Sequence, residues 1–127
     1  MATKILIAED NKLIREHIKE ELEERGFIVS DAKNGESCLN QIKKSIPDIL
    51  ILDIMMDGIT GIGVLRKIRT TKRTQHIYII ANTIVTQNSR EGRIIQSFTD
   101  DYIVKPAGID VLLSAVEKGV KHIDSQS

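Results

Sequence analysis

Short runs of adjacent apolar residues alternate along the chain with segments whose apolar positions recur every three or four residues. KILIAE (4–9) is a β-rich run, and residues 12–25 then place Ile14, Ile18 and Leu22 on one helical face. Gly26 supplies the C-terminal stop of that helix. FIVSDA (27–32) predicts a second strand, Asn34-Gly35 a turn, and the next segment a helix that carries Leu39 and Ile42 inward until Pro47 breaks it. DILILD (48–53) predicts a third strand; it lacks polar alternation, so both of its faces should be covered. Gly58 and Gly61 mark a loop, and residues 62–70 a helix through Leu65 and Ile68. IYIIAN (77–82) predicts the fourth strand and residues 87–97 a helix, although Gly92 in its middle costs about 1 kcal/mol against Ala. DYIVK (101–105) predicts a fifth strand ended by Pro106, and residues 108–122 a last helix with Ile109, Leu112, Leu113, Val116 and Val120 on one stripe. The polar tail DSQS should fray. Five strands alternating with five helices predict an α/β fold, a parallel sheet with helices on both faces.

Composition narrows the picture. The chain has 127 residues with no repeat, low-complexity stretch or linker, which fits one domain with a core of about 3–122. Aromatics are 3% of residues, so the core must be built from Ile, Leu and Val. The 18 basic and 18 acidic residues balance, and net charge gives no electrostatic footprint for nucleic acid. A local cluster, Arg66, Lys67, Arg69, Lys72 and Arg73, reads as a solvated helix end, with a docking patch as the sharper alternative. Cys38 is the only cysteine, which excludes an intramolecular disulfide and a Cys-based metal site, and suits a small apolar helix position in a reducing compartment. No apolar stretch approaches the ~20 residues of a membrane span, and the N-terminus lacks the apolar segment of a secretory signal. A cytoplasmic protein with no membrane contact is expected. His17, His76 and His122 share no ligand spacing and read as surface residues.

In doubly wound sheets the functional crevice lies beyond the carboxyl ends of the strands. Glu9-Asp10 ends the first strand, Asp53 the third and Lys105-Pro106 the fifth, while Thr83 follows the fourth. Three carboxylates, a hydroxyl and an amine therefore converge on one edge. At an effective dielectric near 20, two carboxylates ~5 Å apart repel by ~3 kcal/mol, so the group calls for a cation. Oxygen ligands with open positions suit Mg2+, with Mn2+ as a substitute. A carboxylate nucleophile beside Mg2+, an ammonium and a hydroxyl is equipped for phosphoryl transfer through an acyl phosphate. The plainer readings are a Glu9-Asp10 helix cap, a loop Thr83, a surface Lys105 and a core Tyr102.

These residues carry a resemblance. Across KILIAEDN, NGES, PDILILDIMMDGITG and DDYIVKP, in that order, the chain resembles the receiver domain of bacterial two-component response regulators. The resemblance covers nearly the whole length, so residues 1–127 are expected to form a single receiver domain. It implies a flavodoxin-like fold with sheet order 2-1-3-4-5. It implies Asp53 as phosphoacceptor, Asp10 as direct Mg2+ ligand with Glu9 holding a metal-bound water, and Met55 offering its backbone carbonyl to the metal. It implies Lys105 as the amine that contacts the phosphoryl oxygens, and Thr83 and Tyr102 as a coupled switch that remodels the surface of the fourth helix, fifth strand and fifth helix. The implied partners are a histidine kinase or histidine phosphotransfer protein and a downstream protein, not nucleic acid directly.

The sequence also departs from the family pattern. Asp57 stands where Pro is usual, loosening the loop and adding a charge that could serve as a third ligand. Ile84 replaces a small residue and is expected to narrow access to Asp53. Phe98 replaces a common Gly and Ala107 a common Phe, altering the face that partners read. In the family that this chain resembles, the side chains at the positions of Met55 and Val85 flank the path of a hydrolytic water; neither side chain here orients water strongly, which predicts slow self-dephosphorylation. A phosphorylation-independent scaffold is the alternative function. An enzyme is disfavoured, because no P-loop and no Asp-x-Asp nucleophile pattern is present. The starting Met and short tail favour a stand-alone module over one excised from a longer protein.

Overall fold

The computed structural model describes residues 2–56 and 60–126. The strands are β1 (Lys4–Ala8), β2 (Ile28–Ala32), β3 (Ile49–Leu52), β4 (Tyr78–Thr83) and β5 (Asp101–Val104). The helices are α1 (Lys12–Glu24), α2 (Gly35–Lys44), α3 (Gly61–Thr70), α4 (Arg90–Phe98) and α5 (Ile109–Ser125). All strand pairs are parallel, in the order β2-β1-β3-β4-β5, as the resemblance implied. The fold class is therefore borne out.

Strand side chains alternate between two apolar layers. Leu6, Leu50, Leu52, Ile79 and Ala81 face one layer with Ile42 of α2, Leu65 and Ile68 of α3 and Ile95 of α4. Ile5, Ile7, Ile49, Ile51 and Ile80 face the other with Ile18 and Leu22 of α1 and Leu112 and Val116 of α5. β3 is buried along its whole length, as its unbroken apolar run predicts. Cys38 is fully buried on α2, where desolvation pushes its thiol up to about 12, so it behaves as a small hydrophobe. Ile14, the first residue of the α1 stripe, stays 39% exposed. No described helix is long and apolar enough to cross a membrane.

Several local readings change. Asn34-Gly35 opens a helix rather than a turn: the Asn34 side chain accepts a 2.7 Å bond from Ser37 N–H as N-cap of α2. The cap of α1 is Asn11, whose Oδ1 accepts from Ile14 N–H, so Glu9-Asp10 is free of that task. Gly26 has a φ of 89°, the left-handed region expected of a helix stop. Thr83 lies within β4 rather than after it. Gly92 is not mid-helix but in the first turn of α4, where its N–H donates to Ser89 Oγ at 3.0 Å. A Cβ there would run into the Thr86 carbonyl oxygen and lie 2.9 Å from Gln87 backbone. The usual gain of Gly→Ala in a helix is thus reversed, and Gly92→Ala should destabilise by about 1–3 kcal/mol, read as a lower urea midpoint at unchanged slope. An increase in midpoint would mean that the loop 86–89 yields freely.

The basic cluster at 66–73 is also corrected at one position. Arg69 is not a solvated helix end. Its guanidinium donates to the carbonyls of Phe98 (2.8 Å), Gln75 (2.7 Å) and Ile77 (2.7 Å) and to Asp100 Oδ2 (2.9 Å). Asp100 also accepts from Ile79 N–H at 2.8 Å, and Asp48 does the same for Lys4 N–H at 2.8 Å, so these two carboxylates anchor the amino ends of strands.

Candidate functional site

Parallel register decides which residues meet at the carboxyl edge. Ala8 is level with Leu52, Leu52 with Ala81, and Thr83 with Val104. The residues that follow, Glu9 and Asp53, therefore leave the sheet side by side. Asp53 N–H still bonds Ala8 O at 2.9 Å, and Glu9 N–H bonds Ala32 O at 3.0 Å, which extends the ladder and holds both carboxylates in place. Lys105 is fixed similarly, its N–H donating to Thr83 O at 2.8 Å.

The side chains converge. Lys105 Nζ donates to Glu9 Oε1 at 2.5 Å and to Asp53 Oδ2 at 3.2 Å. Asp53 is 7% exposed and Glu9 3%. Glu9 Oε2 also accepts from Asn11 N–H at 3.1 Å, and Asp53 Oδ1 from Met55 N–H at 3.0 Å. Burial works against the Lys105 charge, but the Glu9 hydrogen bond and the Asp53 and Glu9 charges outweigh it and raise the pKa above the ordinary lysine value. Lys105 is thus an ammonium at neutral pH.

One ammonium does not balance three acids. Glu9, Asp10 and Asp53 offer oxygens that all lie within 4.8 Å of one another. Asp10 is exposed and makes no hydrogen bond or ion pair among the described residues. A net negative cluster of carboxylate oxygens with one unpartnered carboxylate is the donor set that a hard divalent cation selects.

Thr83 is fully buried, and its Oγ1 accepts from Val85 N–H at 3.3 Å. Tyr102 is half-buried against the α2–α4 layer, and its hydroxyl donates to Val85 O at 2.6 Å. Val85 therefore links Thr83 to Tyr102, a connection that sequence spacing did not reveal because it runs through backbone atoms. Met55 is 56% exposed and Ile84 63% exposed. Phe98 is half-buried beneath the Arg66 guanidinium, 5.7 Å from the ring centroid, which gives it a packing role. Asp57 lies outside the described residues. The sequence reading passed over Asn11, whose position one residue before the apolar period of α1 was the available signal.

Comparison with known proteins agrees with this geometry. The family model for the response regulator receiver domain matches residues 5–117. The phosphate regulon transcriptional regulatory protein PhoB of Rhizobium meliloti (strain 1021) is 32% identical over 117 residues, 92% of this chain and 52% of that protein. PhoB of Escherichia coli (strain K12) is 30% identical over 97% of this chain and 54% of its own length. The chain thus spans about half the length of these curated relatives. The receiver domain of the Francisella response regulator 1452 superposes with a TM-score of 0.84 at 31% identity, covering 95% of this chain and 98% of that one. A CheY-like receiver domain protein from Methanospirillum hungatei JF-1 superposes with a TM-score of 0.90 over the full length of both chains at 23% identity, which speaks for the fold. The chain belongs to the response regulator receiver domain family.

Proposed function

We propose that the chain is a phosphorylation-switched signalling module in which Asp53 accepts a phosphoryl group from a phosphohistidine of a histidine kinase or phosphotransfer protein. The observation that carries this reading is the pairing of buried Asp53 with Lys105 beside the unpartnered carboxylate of Asp10. A carboxylate oxygen of Asp53 attacks phosphorus, the P–O bond forms as the P–N bond breaks, and the imidazole leaves and takes up a proton. Met55 N–H orients the carboxylate through Oδ1. Lys105, released from Asp53 as the carboxylate charge is spent, neutralises charge that grows on the phosphoryl oxygens. Asp10, Asp53 and the Met55 carbonyl would hold Mg2+, with Glu9 acting through water. When bound, Mg2+ supplies positive charge and a template for oxygen atoms.

The added charge draws the Thr83 hydroxyl from Val85 N–H, and the Tyr102 bond to Val85 O then responds. The surface formed by α4, β5 and α5 changes as a result and binds a downstream protein. Intact mass after incubation with acetyl phosphate tests the reading: one phosphoryl group is gained with Mg2+ and none with EDTA. Gain in EDTA would refute the metal requirement, and no gain with acetyl phosphate or with a panel of kinases would favour the unswitched scaffold.

Decay of the phosphorylated form is expected to be slow. Met55 and Val85 cannot hold an attacking water by strong hydrogen bonds. Mass sampled over time should show the phosphoryl group persisting for many minutes, and Met55→Asn should shorten its life. Decay on the seconds scale in the unaltered protein would refute the role given to these side chains.

A further inference from the structure

Glu9 is held at every polar atom. Its N–H bonds Ala32 O at 3.0 Å, its Oε1 accepts from Lys105, and its Oε2 accepts from Asn11 N–H at 3.1 Å. The remaining atom, its carbonyl oxygen, comes just after Ala8, the last paired residue of β1, and accepts from Arg15 Nη1 at 2.9 Å. That bond bears on Asp10. The Glu9 carbonyl and the Asp10 N–H belong to one rigid, planar peptide, so holding the oxygen fixes the plane from which Asp10 leaves. The Asp10 carboxylate makes no bond among the described residues, yet it lies within 4.8 Å of oxygens of Glu9 and Asp53. Its place in the cluster is therefore set by its backbone.

Arg15 is itself braced. It is the fourth residue of α1, its side chain is 15% exposed, and its Nε donates to Asp31 Oδ2 at 3.0 Å. Asp31 lies on β2, the neighbour of β1, and its backbone carbonyl accepts from the Gln41 side chain of α2. Lys19 stands 4.0 Å from the other Asp31 oxygen. One arm of the planar guanidinium thus meets a carboxylate and another a carbonyl. Arg25, at the far end of α1, is the contrast. Both of its bonds go to Glu21, one turn away, at 3.0 and 3.1 Å. Arg25 ties the helix to itself, whereas Arg15 ties α1 and β2 to the acidic edge.

We propose that Arg15, braced by Asp31, is a positioning residue of the cation site: it holds the Glu9–Asp10 peptide so that the Asp10 carboxylate is presented beside Glu9 and Asp53. The inference rests on the Mg2+ site proposed above. Its expected effect is opposite in sign to that of charge alone. Removing a positive charge near carboxylates strengthens their attraction for a cation. Removing a contact that orients a ligand weakens it, and such contacts typically contribute about 10–100-fold in metal affinity.

Mn2+ is the probe, its free fraction read by electron paramagnetic resonance with the full chain and with Mg2+ added as competitor. The Mn2+ Kd is expected to rise about tenfold in Arg15→Gln. Arg15→Lys keeps the charge but has one nitrogen for two partners, so Kd should rise there about threefold. That variant also keeps the test alive if Arg15→Gln does not fold. Arg25→Gln removes the same charge about 15 Å further along α1 and should change Kd less than about twofold. Asp31→Ala should weaken binding in the unaltered chain and add little in Arg15→Gln, because both remove one brace. Unchanged or tighter binding in either Arg15 variant, or an equal loss in Arg25→Gln, would overturn the proposal and leave the cation site standing. No Mn2+ binding by the unaltered chain, or binding that Asp10→Asn does not weaken, would overturn the site as well.

Discussion

Asp53→Asn is expected to take up no phosphoryl group under conditions that load the unaltered chain, and to unfold at a higher temperature in chelator. The first outcome follows because an amide is not a nucleophile of the required kind, while Glu9 is tied to Lys105 and Asn11. The second follows from the charge balance. At an effective dielectric near 20, Asp53 gains about 5 kcal/mol from Lys105 at 3.2 Å. It loses about 7 kcal/mol to Glu9 and Asp10, each offering an oxygen within 4.8 Å. Burial at 7% exposure adds a further desolvation cost. Asn removes the charge, and its carbonyl can keep the bond from Met55 N–H. A net gain of about 2 kcal/mol would raise Tm by about 6–12 °C. Mg2+ held at the proposed site would stabilise the unaltered protein more than the variant, which lacks the Asp53 charge. Differential scanning calorimetry with and without Mg2+ reads both effects. A lower Tm in chelator would show that the Lys105 pair outweighs the repulsion, and undiminished phosphoryl uptake would assign the acceptor to another residue.

The same charge group shows what was legible beforehand. Alternation of apolar runs with helical periods places β1 to β5 and α1 to α5 in order, and the carboxyl-edge rule brings Glu9, Asp10, Asp53 and Lys105 together. That worked because a parallel sheet converts position along each strand into position along one edge. Strand order was not derivable this way; it came from the resemblance, since apolar runs carry no information about which neighbour they pair with. What escaped were contacts made by backbone atoms. Val85 links Thr83 to Tyr102 through its N–H and C=O, which any residue type possesses. Gly92 looked like a mid-helix cost because its reason, the approach of Thr86 and Gln87, lies in loop geometry. Arg69 looked like one of five solvated cations because charge pattern does not distinguish a side chain that reaches inward from four that do not.

Arg69→Ala should be the most damaging substitution outside the apolar layers. The side chain is 19% exposed and makes four short bonds that connect α3 to the C-terminal end of α4 and to the loops before β4 and β5. Hydrogen bonds to a charged group contribute ~1.5–3 kcal/mol each, and a partner left buried and unpaired costs ~1–3 kcal/mol. Water can replace the bond to the exposed Gln75 residue but reaches Phe98 and Ile77 less freely. Loss of about 3 kcal/mol is therefore expected, read as a fall in urea midpoint with unchanged slope. Arg69→Lys keeps the charge but not the planar fork, and should recover less than half of the loss. Asp100→Asn should cost less than Arg69→Ala, since the amide oxygen can still accept from Ile79 N–H. Phosphoryl uptake by folded Arg69→Ala should be unchanged, because Arg69 serves the amino ends of β4 and β5 and the carboxylates stand at the opposite edge. A loss under 1 kcal/mol would mean that solvent substitutes for the guanidinium, and the position would then rejoin the other four cations of the 66–73 cluster.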